Sequence, residues 1–284
     1  MRVLNIPVPD ELQNLWRGWL APERQAFFLT AAEAAAFEVP TIPRAEAKLT
    51  PEERDTNAVW GIAAQADRVA WLTLAQWENL GPKPQRSLLR LQVRHNRGNL
   101  PRRRDFAALL PGLPQARFLW TPELLTDAVL ERVISDDNPP CQTSRVPESV
   151  WEAASARLPR VRELAGTFAL HSGANCFGAV MGAAGVAGAE SKWMQREPFE
   201  AFLQKRTRPG GKDDQPGTVL LWRSADGLAQ HAAVTVGGGW AFQKASQVWS
   251  SPRVVLPVDD LKRAARQRGN RLSRRTPFQL PSGF

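Results

Sequence analysis

An α+β fold, with helices weighted to the first half and strands to the last third, is predicted by three observations. Helix-start signatures recur through the first 134 residues of this 284-residue chain. β-prone runs separated by glycines fill the last third. Between the halves lies Ser135-Asp136-Asp137-Asn138-Pro139-Pro140, a polar, proline-bearing stretch that reads as irregular.

Thr50-Pro51-Glu52-Glu53 is a capping box with proline at the first helical position, and the Ala-rich amphipathic run from Ala58 to Ala70 reads as helix after it. Thr73-Leu74-Ala75-Gln76 repeats the box, Gly81-Pro82 stops that helix, and Thr121-Pro122-Glu123-Leu124 starts another. Residues 1–134 are therefore expected to be mostly helical, 135–146 a linker, and 147–284 a second unit. In that unit, helices are expected at Pro147 to Leu158, from Cys176, and at Glu197 to Lys205. Strands are expected at Thr218 to Arg223, His231 to Val236, Trp240 to Lys244 and Arg253 to Val258, with Gly237-Gly238-Gly239 turning a hairpin.

A hydrophobic fraction of 43% with 23% charged residues fits a globular chain with a sizeable core. Two prolines and an aspartate interrupt the first ten residues, so no apolar run of signal-peptide length is present there, and none elsewhere is of membrane-spanning length. The chain reads as cytoplasmic. Its two cysteines, Cys141 and Cys176, show no zinc-ligand spacing and are expected as thiols rather than a disulfide. Neither a metal nor a cofactor is expected. Eleven tryptophans beside no tyrosine are read mainly as core and groove walls.

Chemistry concentrates around Cys176. Ser172-Gly173-Ala174-Asn175 is a turn-like lead-in and Phe177 to Ala184 an apolar run of small residues, so the cysteine stands at a helix N-terminus, where unpaired N–H groups favour a thiolate. Gly178 and Gly182 within that helix suggest close packing on a sheet. His231 heads a strand and Gln243 lies across the hairpin, which offers an imidazole base and a polar group to orient it. Lys244, adjacent to Gln243, should face the opposite way. Taken singly, Cys176 and His231 read as a small buried hydrophobe and a strand-end histidine; their order and spacing favour catalysis.

Residues 165 to about 258 resemble the NlpC-like superfamily of papain-fold cysteine peptidases and amidases. The matching features are Asn175-Cys176 at a helix start, Pro216-Gly217-Thr218-Val219 before a turn, and His231-Ala232-Ala233-Val234 running into Gly237-Gly238-Gly239-Trp240-Ala241-Phe242-Gln243. The resemblance implies a papain-like C-terminal domain with Cys176 as nucleophile, His231 as base and Gln243 as orienting residue. Asn175, Phe177 and Thr218 depart from the family's usual Asp, Ser and Asp, and the tyrosine many members place near the nucleophile has no counterpart here. Oxyanion or groove groups would then come from Ser172, His171 or Asn175. The implied activity is thiol-dependent hydrolysis or acyl transfer on an amide or peptide bond of a peptide or acyl substrate.

The net charge of +9 supplies the competing reading. Arg86, Arg90 and Arg94 recur every fourth residue, followed by Arg97 and Arg102-Arg103-Arg104, while Arg274 and Arg275 close a basic stretch from Leu261. Such stripes suit a phosphate backbone, so the alternative is a catalytically silent papain-fold module that binds nucleic acid or another polyanion. His95 sits in the basic segment with no ligand partner nearby in sequence and reads as structural or exposed. Asp213-Asp214 and Asp259-Asp260 read as capping or solvated pairs.

Overall fold

The computed structural model describes residues 1–113, 116–136 and 138–276. Asp137 of the expected linker, and the end of the basic tail from residue 277, lie outside the described residues. The fold is mixed α+β with antiparallel sheets, in two compact units. One holds Pro9–Val133; the other holds Ile134 onward together with Arg2–Val8. Residues 2–7 form a small hairpin of β1 (Arg2–Val3) and β2 (Ile6–Pro7), and Leu4 and Asn5 at its turn bond the backbone of Cys141. The expected linker is thus packed structure: Cys141 is buried, and Asn138 bonds the carbonyls of Ile134 and Ser250.

The first unit is not mostly helical. It contains α1 (Asp10–Leu20), β3 (Arg24–Leu29), α2 (Ala31–Phe37), β4 (Thr41–Pro43), α3 (Pro51–Thr56), β5 (Arg68–Thr73), α4 (Leu74–Asn79), α5 (Pro82–Arg94) and, as far as Val133, α6 (Asp127–Ser135). Both capping boxes form, at Thr50 and Thr73. The helix expected over Ala58–Ala70 does not: Ala58 is left-handed at φ 49°, and Arg68–Thr73 becomes the middle strand of a three-stranded sheet, order β3-β5-β4. Local propensity favours helix, but pairing with Phe27-Phe28-Leu29 buries Val69, Ala70 and Leu72, and that tertiary gain wins. Thr121-Pro122 opens only a short 3₁₀ turn before α6.

One sheet face packs Phe27, Leu29 and Leu72 against Leu88 and Leu89 of α5, with Trp77 stacked on Phe27 at 5.6 Å between ring centres. Gln92 of α5 pairs with the Phe28 backbone as a strand would, accepting its N–H at 2.8 Å and donating to its carbonyl at 2.9 Å. That satisfies a fully buried amide which would otherwise cost about 1–3 kcal/mol.

The second unit continues with α7 (Glu148–Ser155), α8 (Val161–Leu164), α9 (Cys176–Ala183), α10 (Arg196–Arg206), β6 (Val219–Arg223), β7 (Ala229–Gly237), β8 (Trp240–Lys244), β9 (Arg253–Pro257), α11 (Val258–Ala264) and β10 (Arg271–Arg275). The five strands make one antiparallel sheet, order β10-β6-β7-β8-β9. The expected hairpin forms. Gly237 and Gly238 have positive φ, and a Cβ on them would come within 2.7 Å of Pro216 and 2.9 Å of Val150, so glycine is required twice over. On one sheet face, Val219, Leu221, Ala232, Val234, Phe242 and Val255 pack against α9 and its neighbouring helices. The other face carries Trp222, His231 and Gln243.

Part of the basic tail is a structural strand. β10 pairs along the whole of β6, Arg274 makes two bonds to Asp213 (2.7 and 3.0 Å), and Arg275 bonds the Thr207 hydroxyl and carbonyl. Arg274, with Lys262, holds the Asp213 carboxyl down at about 2. Asp213 therefore ties a loop to α11 and β10 rather than being merely solvated.

Candidate active site

Helix α9 starts where Asn175, in extended backbone, turns its Oδ1 onto the Gly178 N–H (3.0 Å) and its Nδ2 onto the Met194 carbonyl (2.8 Å). Asn175 is the N-cap. Its oxygen serves the helix and one N–H of its amide the neighbouring chain, and an Asp at the same place would cap equally well. Every residue of α9 is buried. The glycines answer a close approach, though not to the sheet as expected: a Cβ on Gly178 would lie 2.3 Å from the Ala189 carbonyl oxygen, and one on Gly182 2.8 Å from Glu190 Cβ. The turn at Ala189–Ser191 crosses α9 at backbone distance.

Cys176 is the first residue of α9 and only 8% exposed. Burial pushes its thiol up to about 11, although the N–H groups of Ala232, Phe177 and Cys176 itself, and the charge of Lys244, all favour the thiolate. The resting sulfur is a neutral thiol at physiological pH. Its most informative neighbour is the Ala232 amide, one residue beyond His231. The β7–β8 ladder pairs Val234 with Phe242, Thr235 with Ala241 and Gly237 with Trp240, and does not reach Ala232. The Thr235 N–H points to the β6 side, so by alternation that of Ala232 points to the β8 side, where no strand partner takes it.

His231 lies opposite Trp222, with ring centres 5.3 Å apart, and its Nε2 is 2.8 Å from Gln243 Oε1. An amide oxygen only accepts, so His231 donates from Nε2 and presents a bare Nδ1, the basic nitrogen of that tautomer. Burial lowers the pKa of the imidazole, and the bond to Gln243 opposes that shift. The structure thus brings Gln243 to His231 and the sulfur to the adjacent residue. Among the described residues, no hydrogen bond joins the imidazole to the sulfur.

Lys244 faces away from Gln243, as strand alternation requires, and that is the face on which α9 packs. It is fully buried, donating to the carbonyls of Ser246 (2.7 Å) and Val248 (2.9 Å). Alternation turns it away from His231 and Gln243, and the Cys176 sulfur, on the Ala232 N–H at the strand edge, feels its charge. The available signal is a lysine ending the otherwise uncharged strand Trp240-Ala241-Phe242-Gln243. The loop Lys244 holds also bonds the lead-in to α9, through Gly173 N–H to the Gln247 carbonyl at 3.0 Å.

The other lead-in residues divide. Ser172 is buried, whereas His171 is exposed, with its Nδ1 at the Ser172 carbonyl. Trp193 lies against Gly173 and is 62% exposed, an apolar rim beside the helix start. Both cysteines are free; Cys141 bonds Thr143 and the Val255 N–H. Within the described residues no helix is long and apolar enough to cross a membrane.

The arginines named from sequence have separate fates. Arg86 and Arg90 are exposed on α5, Arg94 lies 3.9 Å from Glu33, and Arg274 and Arg275 are engaged as described above. Arg97 is buried under Phe27, bonded to Asn57 and Gln25, and so is no part of a cationic stripe. His95 is buried too, with its Nε2 2.7 Å from Glu33. Comparisons with protein-family models, with curated proteins and with solved structures find no match to this chain.

Proposed function

We propose that the second unit is a papain-like thiol hydrolase, or acyl transferase, that cleaves an amide or related acyl bond with Cys176, His231 and Gln243. One observation carries the reading: the thiol stands at a capped helix start, on the amide next to an imidazole whose Nε2 is fixed by a side-chain amide and whose Nδ1 is bare. The NlpC-like spacing supports it, as does an antiparallel sheet with α9 on one face.

On substrate arrival, His231 Nδ1 takes the thiol proton as sulfur attacks the acyl carbon. A C–S bond forms, and the carbonyl π pair moves to oxygen, where the Cys176 N–H at the helix start can meet it. Collapse breaks the bond to nitrogen, the amine leaves with the imidazolium proton, and water hydrolyses the thioester with His231 again as base. For acyl transfer, an acceptor nucleophile replaces that water. Gln243 holds the tautomer. Lys244 supplies positive charge opposite the developing thiolate, offsetting part of the burial that keeps the resting sulfur neutral. Trp193 offers an apolar wall for the group flanking the scissile bond.

The second reading, a catalytically silent module that binds a polyanion, draws on the same raised thiol and on the exposed arginines of α5. Labelling with an electrophilic acyl probe separates the two. The hydrolase reading expects covalent labelling of the wild type, none of Cys176→Ala, and a rate loss of about 10²–10⁴ in His231→Ala, the usual worth of a general base. Labelling indifferent to His231 would remove it.

A further inference from the structure

The first unit sorts its arginines into those that serve the fold and those that line a surface recess. One cleft, of about 300 Å³, is walled by Arg86, Arg90 and Arg117 over a floor of Leu89, Val93 and Ala116. A second, of about 490 Å³, is lined by Arg102, Arg103, Arg104, Ala116 and Arg117. They share Ala116 and Arg117. The wall between them is built: Arg102 and Arg117 form a backbone bridge, Arg103 N–H bonds the Ala116 carbonyl at 3.0 Å, and Arg117 Nη1 is anchored on the Leu100 carbonyl.

Six guanidinium groups thus surround one recess, and the carboxylate paired there is Asp105, 3.5 Å from Arg104. Among the described residues, the side chains of Arg90 and Arg102 make no hydrogen bond or ion pair. Burial first, and then the charges of Arg102 and Arg104, lower the pKa of Arg117 against the opposing charge of Asp105; a bound anion would offset the like charges. The two halves differ in character. The first is apolar-floored between two α5 arginines one helical turn apart, which suits a planar ring flanked by guanidinium; the second is almost wholly cationic, which suits phosphates.

We propose that this double cleft binds a phosphorylated nucleotide, its base over Leu89 and Val93 and its phosphates among Arg102, Arg103, Arg104 and Arg117. The proposal is independent of the thiol chemistry. A nucleoside triphosphate and a single-stranded oligonucleotide carry the same recognised groups, and binding experiments on the full chain distinguish them. Titration of a fluorescent ATP analogue and of a labelled oligonucleotide, with inorganic tripolyphosphate as a third probe, is done at about 50 mM salt, where phosphate binding is strong.

Arg90→Glu/Arg102→Glu should weaken the binding probe by about tenfold or more and reduce the slope of log affinity against log salt by about 1, because Arg102 no longer neutralises a phosphate while Arg90 flanks the base. Lys205→Glu/Arg268→Glu makes the same charge change at exposed sites of the second unit and should leave affinity within about twofold, since neither residue lines the cleft. Saturation by the ATP analogue alone assigns a small nucleotide; saturation by the oligonucleotide assigns a strand. The proposal is overturned by equal weakening in both double variants, by no saturable binding of any probe, or by tripolyphosphate binding as tightly as the nucleotide probes.

Discussion

Each unit holds a histidine whose Nε2 meets a side-chain oxygen: buried His95 at 2.7 Å from Glu33, and half-buried His231 at 2.8 Å from Gln243. The difference lies in the acceptor and in what stands nearby. Glu33 is a charged group that also caps α2 by accepting the Thr30 N–H, so His95 is tied into a helix end. Gln243 is neutral and bonds across a hairpin, and the backbone beside His231 reaches the sulfur of Cys176. A hydrogen-bonded histidine is therefore no sign of function by itself; the proposal for His231 rests on its neutral partner and on the thiol within one residue.

Alanine at each position gives the largest expected contrast. His231→Ala should cost the acyl-labelling rate about 10²–10⁴. His95→Ala should leave that rate unchanged while lowering stability by about 1–3 kcal/mol, because Glu33 loses a buried partner, and thermal melts of the two variants measure that part. Equal losses of labelling in both would erase the distinction.

A smaller effect comes from making one pair imitate the other. Gln243→Glu places a carboxylate on the His231 ring, which should raise the imidazole pKa by about 1–3 units, as an opposite charge at hydrogen-bond range does. Burial lowers the pKa of the native imidazole, and the added carboxylate opposes that shift. In the variant, the rising limb of the labelling rate against pH should move to higher pH by a similar amount. An unmoved limb would mean that His231 is not the titrating base.

What the sequence discloses follows from how local each feature is. The start of α9, the 237–239 hairpin and the 12-residue interval from His231 to Gln243 depend on neighbouring residues, caps and cross-strand reach, so they are legible. The sheet of the first unit is not, because β5 finds its partner β3 some 40 residues back, and nothing in an alanine-rich run announces that pairing. The place of Lys244 is hidden for the same reason. Strand alternation gives its face, but only packing shows that the Cys176 sulfur feels its charge. The arginines look alike in sequence and are sorted by tertiary partners: Asp213 takes Arg274, Asn57 and Gln25 take Arg97, and the cleft keeps Arg90 and Arg102.

In the proposed chemistry, Cys176 rests as a buried neutral thiol and becomes a thiolate only when His231 takes its proton. The pH dependence of iodoacetamide alkylation in a Cys141→Ala background tests it most directly, because this small reagent needs no substrate recognition and reports thiolate fraction. The expected Cys176 alkylation rate keeps climbing through neutral pH toward a midpoint of about 11. A rate that levels off at or below about pH 7, as a preformed thiolate–imidazolium pair would give, would contradict it.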